Sequence, residues 1–238
     1  MNALLLCAGV GERLMPLTLY RPKCMLPATK YGTLLKYWIS ELMWNGIDTV
    51  FINVFWLKKE IVSYLNELDF QANYYIYEEK NLEPIGEVLH NLKEKLGDEF
   101  FIINSDTYIT EGDISNFIKT LSVTSGSPIC LGVTLQENVV GKSLVTMRND
   151  DTNLISTFLE KPIVACKGLS YGGIMKMHSS VLDMYDSETL KRKELTGGIL
   201  SDYKGNMTAE NVGDVVDIGG SIEEYLYAYE KILLMECE

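Results

Sequence analysis

Histidine is almost missing from this chain. Its two copies, His90 and His178, stand alone, which fits structural roles better than catalysis. Cysteine is sparse and unpaired in pattern. Cys7, Cys24, Cys130, Cys166 and Cys237 are odd in number, with no C-x-x-C among them. That spacing argues against a disulfide framework or a structural zinc site, and the thiols read as small buried apolar groups. No apolar run approaches the roughly 18 residues of a membrane helix. Positive charge is in deficit, with 21 Lys and Arg against 33 Asp and Glu, a formal charge of −12. Such a balance argues against general binding to nucleic acid or to an anionic membrane. The start has no basic region and no small-residue cleavage site, so no secretory signal is expected and a reducing cytoplasm fits best. Repeats, low-complexity tracts and Pro/Gly/Ser linkers are also lacking.

What remains is an ordinary globular composition, 47% hydrophobic and 23% charged over 238 residues. That length suits one α/β domain, taken here as residues 1–238. Charge is unevenly spread. Met1 to Gly46 holds five basic and two acidic residues, whereas Gly205 to Glu238 holds one basic and eight acidic. A locally positive start on an acidic chain suits a small anionic ligand, although chance drift of charge would look the same.

A short apolar run at the start reads as a buried first strand, followed by a loop bare of side chains at Gly9 and Gly11 and then by Arg13, Arg21 and Lys23. Glycines let backbone amides approach an anion, and guanidinium and ammonium groups can hold its oxygens. The loop is not a Walker A motif, because no Gly-Lys-Ser/Thr follows. Nor is it a dinucleotide fingerprint, because Leu14 replaces the third glycine. Read alone, Gly9-Val10-Gly11 could equally be a tight turn.

Downstream, the periodicity predicts a helix over Thr33–Trp44, strands at Asp48–Val54 and Ala72–Tyr77, helices at Leu57–Leu68 and Gly86–Leu96, and a buried strand at Glu99–Asn104. This alternation predicts a parallel, doubly wound sheet, which binds ligands at the carboxyl ends of its strands. Strands at Pro128–Leu135, Ser143–Met147, Leu154–Leu159 and Leu169–Met177, without long helices between them, predict antiparallel pairing and so a mixed sheet. A weak helix at Glu194–Tyr203, a strand at Val212–Ile218 and a tyrosine-rich helix at Ser221–Met235 complete the chain.

Two carboxylates stand out. Asp106 follows the buried strand, as a cation ligand or a turn cap would. Asp217 precedes Gly219-Gly220-Ser221, where Ser221 and Glu224 form a predicted capping box that leaves Asp217 unexplained. Glu160 and Lys161 end a strand, and alternation would point them to opposite faces. Glu79, Asn81 and Glu83 could each hydrogen-bond a base edge or be surface loop residues.

In combination, Ala8-Gly9-x-Gly11-Glu12-Arg13-Leu14-x-Pro16-Leu17-Thr18 with Pro22-Lys23 resembles the signature of the nucleotidyltransferases that make nucleoside-diphosphate sugars. Lys23-Cys24, Leu35-x-Tyr37-Trp38 and Gly46-Ile47-Asp48 through Ile52-Asn53 are similar to mannose-1-phosphate-guanylyltransferase-like proteins. The resemblance implies a Rossmann-like three-layer α/β/α fold of GT-A-like type with a mixed central sheet. It implies an NTP site at Leu6, Ala8, Gly9, Gly11, Glu12, Arg13, Lys23, Asn81, Gly86, Ser105 and Asp106. Mg2+ would be held by Asp106 and Asp217. Glu160, Lys161, Tyr171, Gly172 and Gly173 would hold a sugar 1-phosphate, with Arg13, Lys23, Asp106 and Lys161 as catalytic groups. Ser105 replaces the family's usual Gly, Tyr171 its usual Asn, and Glu87-Val88 its Thr-Ala after Gly86. These departures keep open a cytidylyltransferase acting on a phosphocholine-like or phospho-amino-acid-like acceptor, and a catalytically silent nucleotide-binding homologue. A glycosyltransferase shares the broad fold, but the Asp-x-Asp usual there is absent. Tyr225, Tyr227 and Tyr229 are assigned to packing or to contacts in a homodimer.

Overall fold

The computed structural model describes residues 1–30, 32–68, 73–123, 126–149, 152–203 and 205–236. The expected strand start at Ala72, and Cys237, lie outside them. In chain order the elements are β1 (Asn2–Leu6), α1 (Leu34–Trp44), β2 (Val50–Val54), α2 (Lys58–Glu67), β3 (Tyr74–Glu78), α3 (Ile85–Leu96), β4 (Glu99–Asn104), β5 (Thr107–Ile109) and α4 (Glu111–Val123). Then follow β6 (Ile129–Gln136), β7 (Ser143–Met147), β8 (Ile155–Glu160), β9 (Gly168–His178), α5 (Ser187–Leu190), β10 (Met207–Asn211), β11 (Val215–Asp217) and α6 (Ile222–Met235). Among the described residues, no helix is long and apolar enough to cross a membrane.

Two compact units divide the chain. The first is Met1–Leu82, Ile103–Thr110 and Val215–Glu238. Here β1, β2 and β3 run parallel, with Leu5 beside Ile52 and Asn53 beside Tyr77. Ala3, Leu4 and Leu5 are wholly buried and all five residues of β2 are buried, so the short apolar runs form strands covered on both faces. Thr33 caps α1 by accepting the Lys36 amide at 3.1 Å. The same helix buries Tyr37 and Trp38 completely. The Tyr37 hydroxyl donates to the Ile109 carbonyl, and the Trp38 indole donates to the Thr107 carbonyl at 2.8 Å. Two large aromatics therefore both fill the core and pin β5, the strand that begins one residue after Asp106. Strand β5 pairs antiparallel with β11, setting Thr107 opposite Asp217. Ser221 and Glu224 form the expected capping box at the start of α6.

The second unit is Glu83–Ile102 with Glu111–Asp214. Strand β6 lies parallel to β10 and antiparallel to β9, and β7 pairs antiparallel with β8. The mixed pairing expected for this half is present. Helix α4 and strand β10 lie where the sequence reading named no element. Helix α4 was hidden by its Gly, Asn, Ser and Thr content, yet Ile114, Phe117, Ile118 and Leu121 follow a helical repeat and are buried. Strand β10 is rich in residues that rarely favour strands, and tertiary pairing with β6 overrides them. The weak helix expected over Glu194–Tyr203 is present, wound as a π-helix at Leu195–Leu200 and continuing as helix to Asp202. Both histidines are structural here. His178 caps the following turn, and His90 meets the Ser187 hydroxyl at 3.2 Å.

Candidate active site

In the first unit the site is built from strand ends. The loop leaving β1 is tied down at every side except the one facing solvent at Gly9. The Cys7 amide donates to the Asn53 side chain at 3.0 Å, and the Asn53 amide donates to Glu79 at 2.7 Å. The Ser105 hydroxyl donates to the Leu6 carbonyl. Further along, the Thr18 hydroxyl donates to the Gly11 carbonyl at 2.8 Å, and Trp56 donates to the Thr18 carbonyl at 2.8 Å. Gly9 has open space where a Cβ would point. The loop is thus preorganised, with unobstructed backbone on its outer side, which suits an anion.

Of the two alternatives for Glu79, a base contact or a surface loop residue, burial removes the second. Glu79 is 2% exposed and holds Asn53, so it braces the loop from behind. Asn81 is exposed on the bend after β3. Because Asn53 serves both the Cys7 amide and the buried Glu79 carboxylate, Asn53→Ala is expected to cost about 2 kcal/mol. Denaturant unfolding would measure that loss.

Cations enter next. Leu14, wholly buried, anchors the short turn that presents exposed Glu12 and Arg13. Cys24, also buried, anchors the turn that begins at Lys23. The Cys24 thiol titrates well above the ordinary range, because the Cys7 side chain accepts from it and burial disfavours the thiolate. That is the behaviour of a packing group, as expected for these cysteines.

Lys23 reaches the turn after β4, where its ammonium pairs with Asp106. Asp217 joins them. Its carboxylate accepts the Gly219 amide at 2.6 Å, and the Ile218 amide donates to the Asp106 carbonyl at 2.9 Å. A Cβ on Gly219 would overlap the present position of the Lys23 ammonium, so the glycine lets the ammonium lie there. Asp217 is solvent-accessible at the strand end yet crowded by protein. That crowding, and then the neighbouring Asp106 carboxylate, hold its carboxyl above the usual aspartate range, against the pull of Lys23, the Gly219 amide and Arg13. The Gly219 bond gives Asp217 a turn-forming role that the sequence did not reveal.

Two carboxylates gathered round one ammonium can hold a cation. Among the described residues, no three of His, Cys, Asp and Glu converge as a metal site. The Asp106–Asp217 pair suits Mg2+, which takes one or two carboxylates and completes its shell with phosphates and water.

In the second unit, Glu160 closes β8 and Lys161 follows with φ of 48°. That left-handed backbone breaks the strand alternation, so the two side chains approach each other at 3.7 Å instead of pointing apart. Lys161 is largely exposed. The π-helical turn at Leu195–Leu200 brings Gly197 beside Glu160. Such turns concentrate at functional sites, and nothing in the sequence marked this one. The Tyr171 amide donates to the Ser143 hydroxyl at 2.9 Å. Gly172 and Gly173 lie in a bulge of β9, where the pairing jumps from Leu131–Met175 to Val133–Tyr171. A bulge re-aims backbone groups out of the ladder, which favours contact with a ligand. Gly86 is packed within this unit. Its amide donates to the Lys193 carbonyl at 2.8 Å.

A family model described as "Nucleotidyl transferase" matches residues 2–232. The chain is 29% identical over 202 residues to the "Bifunctional protein GlmU" of Methanocaldococcus jannaschii, covering 84% of this chain and 46% of that protein. It is 28% identical over 211 residues to "Probable mannose-1-phosphate guanylyltransferase 1" of Oryza sativa subsp. japonica, covering 85% and 57%. The chain thus spans about half the length of the curated relatives it matches. Among solved structures, a "Putative Glucose-1-Phosphate Thymidylyltransferase from Bacillus anthracis" superposes with a TM-score of 0.83 at 18% identity, covering 98% of this chain and 95% of that one. HddC from Yersinia pseudotuberculosis, "complexed with GMP-PN", gives 0.77 at 18%, covering 97% and 98%. These similarities show the expected fold, a Rossmann-like three-layer α/β/α architecture with a mixed sheet.

Proposed function

The chain belongs to the nucleotidyl transferase family, and we propose that, as one domain over residues 1–238, it couples an NTP to a sugar 1-phosphate. A phosphate oxygen of the acceptor attacks the α-phosphorus in line, the bond to the β-phosphate oxygen breaks, and pyrophosphate leaves. No covalent bond to the protein is needed. The observation that carries this reading is the meeting of Lys23, Asp106 and Asp217 in the unit that also holds the braced glycine loop. The relatives named for mannose-1-phosphate guanylyl transfer support the sugar half of it.

In this scheme Leu6, Ala8, Gly9, Gly11, Glu12, Ser105 and Asn81 shape the nucleotide site. Gly86 belongs to the same nucleotide set by its resemblance to the family motif. Arg13 neutralises the departing pyrophosphate, and Lys23 the reacting phosphates. Glu160, Tyr171, Gly172 and Gly173 hold the acceptor, with Lys161 on its phosphate. Mg2+ on Asp106 and Asp217 would supply charge neutralisation at the α-phosphate. Catalysis then rests on positioning and electrostatics, as in other phosphoryl transfers. The reading places the protein in a reducing cytoplasm. The exposed Leu226, Tyr227 and Leu234 on α6 support a homodimer.

The test is a matrix of GTP, CTP, UTP and dTTP against sugar 1-phosphates and against phosphocholine and phospho-amino acids. Pyrophosphate release is the readout. Release is expected for one nucleotide with a sugar 1-phosphate, and only with a divalent cation. Turnover confined to the non-sugar acceptors would sink the sugar assignment, and no turnover in any cell would sink nucleotidyl transfer.

A further inference from the structure

Lys23 stands where a catalytic cation would have to bind. Its side chain is 16% exposed and that of Asp106 is 27% exposed, so the ammonium is held by the Asp106 carboxylate on a side chain largely shielded from water. A largely desolvated ammonium needs such a counter-charge. Asp217 adds a second negative group on the same side, and the missing side chain at Gly219 makes room for the lysine head. An ammonium on Asp106 and a divalent cation on the same carboxylate repel each other strongly at this range.

We propose that Lys23 is a place-holder that makes metal binding depend on the nucleotide: it occupies the Asp106–Asp217 pair until a polyphosphate draws its ammonium away. This rests on the nucleotidyl-transfer reading above. Three features converge on it. Two carboxylates are too few to complete a Mg2+ shell, so the remaining ligands must come from phosphate and water. Lys23 follows Pro22 and sits on a turn anchored by buried Cys24, so only its flexible stem has to move. The group that would attract it, a triphosphate, is also the group that supplies the missing ligands. Metal and nucleotide then enter together, and each raises the affinity of the other by the same factor.

Mn2+ alone is the probe, followed by electron paramagnetic resonance on the full chain with no nucleotide present. The wild type is expected to bind Mn2+ weakly, in the millimolar range. Lys23→Gln should bind one Mn2+ per chain at least about tenfold more tightly. Lys23→Met, which keeps the stem and drops the charge, is measured beside it in case Lys23→Gln fails to fold. Lys23→Arg keeps the charge and should stay as weak as the wild type. Adding Asp106→Asn to the neutral variant should remove the gain. Equal Mn2+ affinity in the wild type and the neutral variants would overturn the proposal, as would a gain that survives Asp106→Asn. A gain of Mn2+ affinity in the neutral variants, when the wild type itself releases no pyrophosphate with any nucleotide, would count against the enzymatic reading and leave the competition of Lys23 with the metal standing.

Discussion

Asp106→Asn is expected to lower divalent-dependent pyrophosphate release by at least about 10²-fold, because the carboxylate is half of the proposed cation site and the partner of Lys23. The fold should survive. Asparagine keeps the shape of the turn, and the Asp106 carbonyl, which holds Ile218, is untouched. Steady-state kinetics beside thermal unfolding checks both halves of the expectation. Full activity would remove Asp106 from the cation site. The same variant has a second readout. Crowding by protein is the main reason that Asp217 titrates high, and the Asp106 charge is the next. With that charge gone, the Asp217 carboxyl should titrate lower, as carbon-detected NMR across the acid range would show. The stability profile follows. A raised aspartate pKa means that the native chain keeps its proton longer than the unfolded chain. Stability therefore falls as pH rises from the ordinary aspartate value through the raised one. Asp106→Asn should flatten that slope.

Gly86→Ala is expected to destabilise the chain by about 3 kcal/mol, lowering the melting temperature by roughly 6–12 °C. The added Cβ would overlap the Leu190 carbonyl oxygen and lie 2.9 Å from that of Lys193. Both obstacles are backbone, and the second also accepts the Gly86 amide, so neither can move aside cheaply. Differential scanning calorimetry measures the loss. The outcome also separates two roles for this glycine. Unchanged stability with weakened nucleotide binding would make Gly86 a base contact, whereas a large stability loss assigns it to packing against the turn after α5.

Where chemistry is carried by local pattern, the chain was readable. The buried run of β1, the strands and helices through β4, and the capping box of Ser221 and Glu224 all follow from short-range periodicity and hydrogen-bonding chemistry. The opening-loop residues proposed for the nucleotide stood out because glycines, prolines and cations crowd one loop. Helix α4 could have been read from Ile114, Phe117, Ile118 and Leu121. Its helix-poor residues masked the repeat. Strand β10 had no such local signal, and neither had the π winding within the helix expected over Glu194–Tyr203, because pairing and packing create them.

The sequence by itself determined an α/β chain with a glycine-rich, basic opening loop and two isolated aspartates at strand ends, since these depend on residue type and near neighbours. Only the tertiary structure decided that Lys23 lies on Asp106, 83 residues away, with Asp217 beside both. It also decided that Glu79 is a buried brace for the loop and no surface residue, and that Gly86 is walled in by the Leu190–Lys193 backbone. The physical reason is common to all three. Each depends on a close approach between segments far apart in the chain, produced by strand pairing and core packing, and no local pattern encodes which distant group arrives.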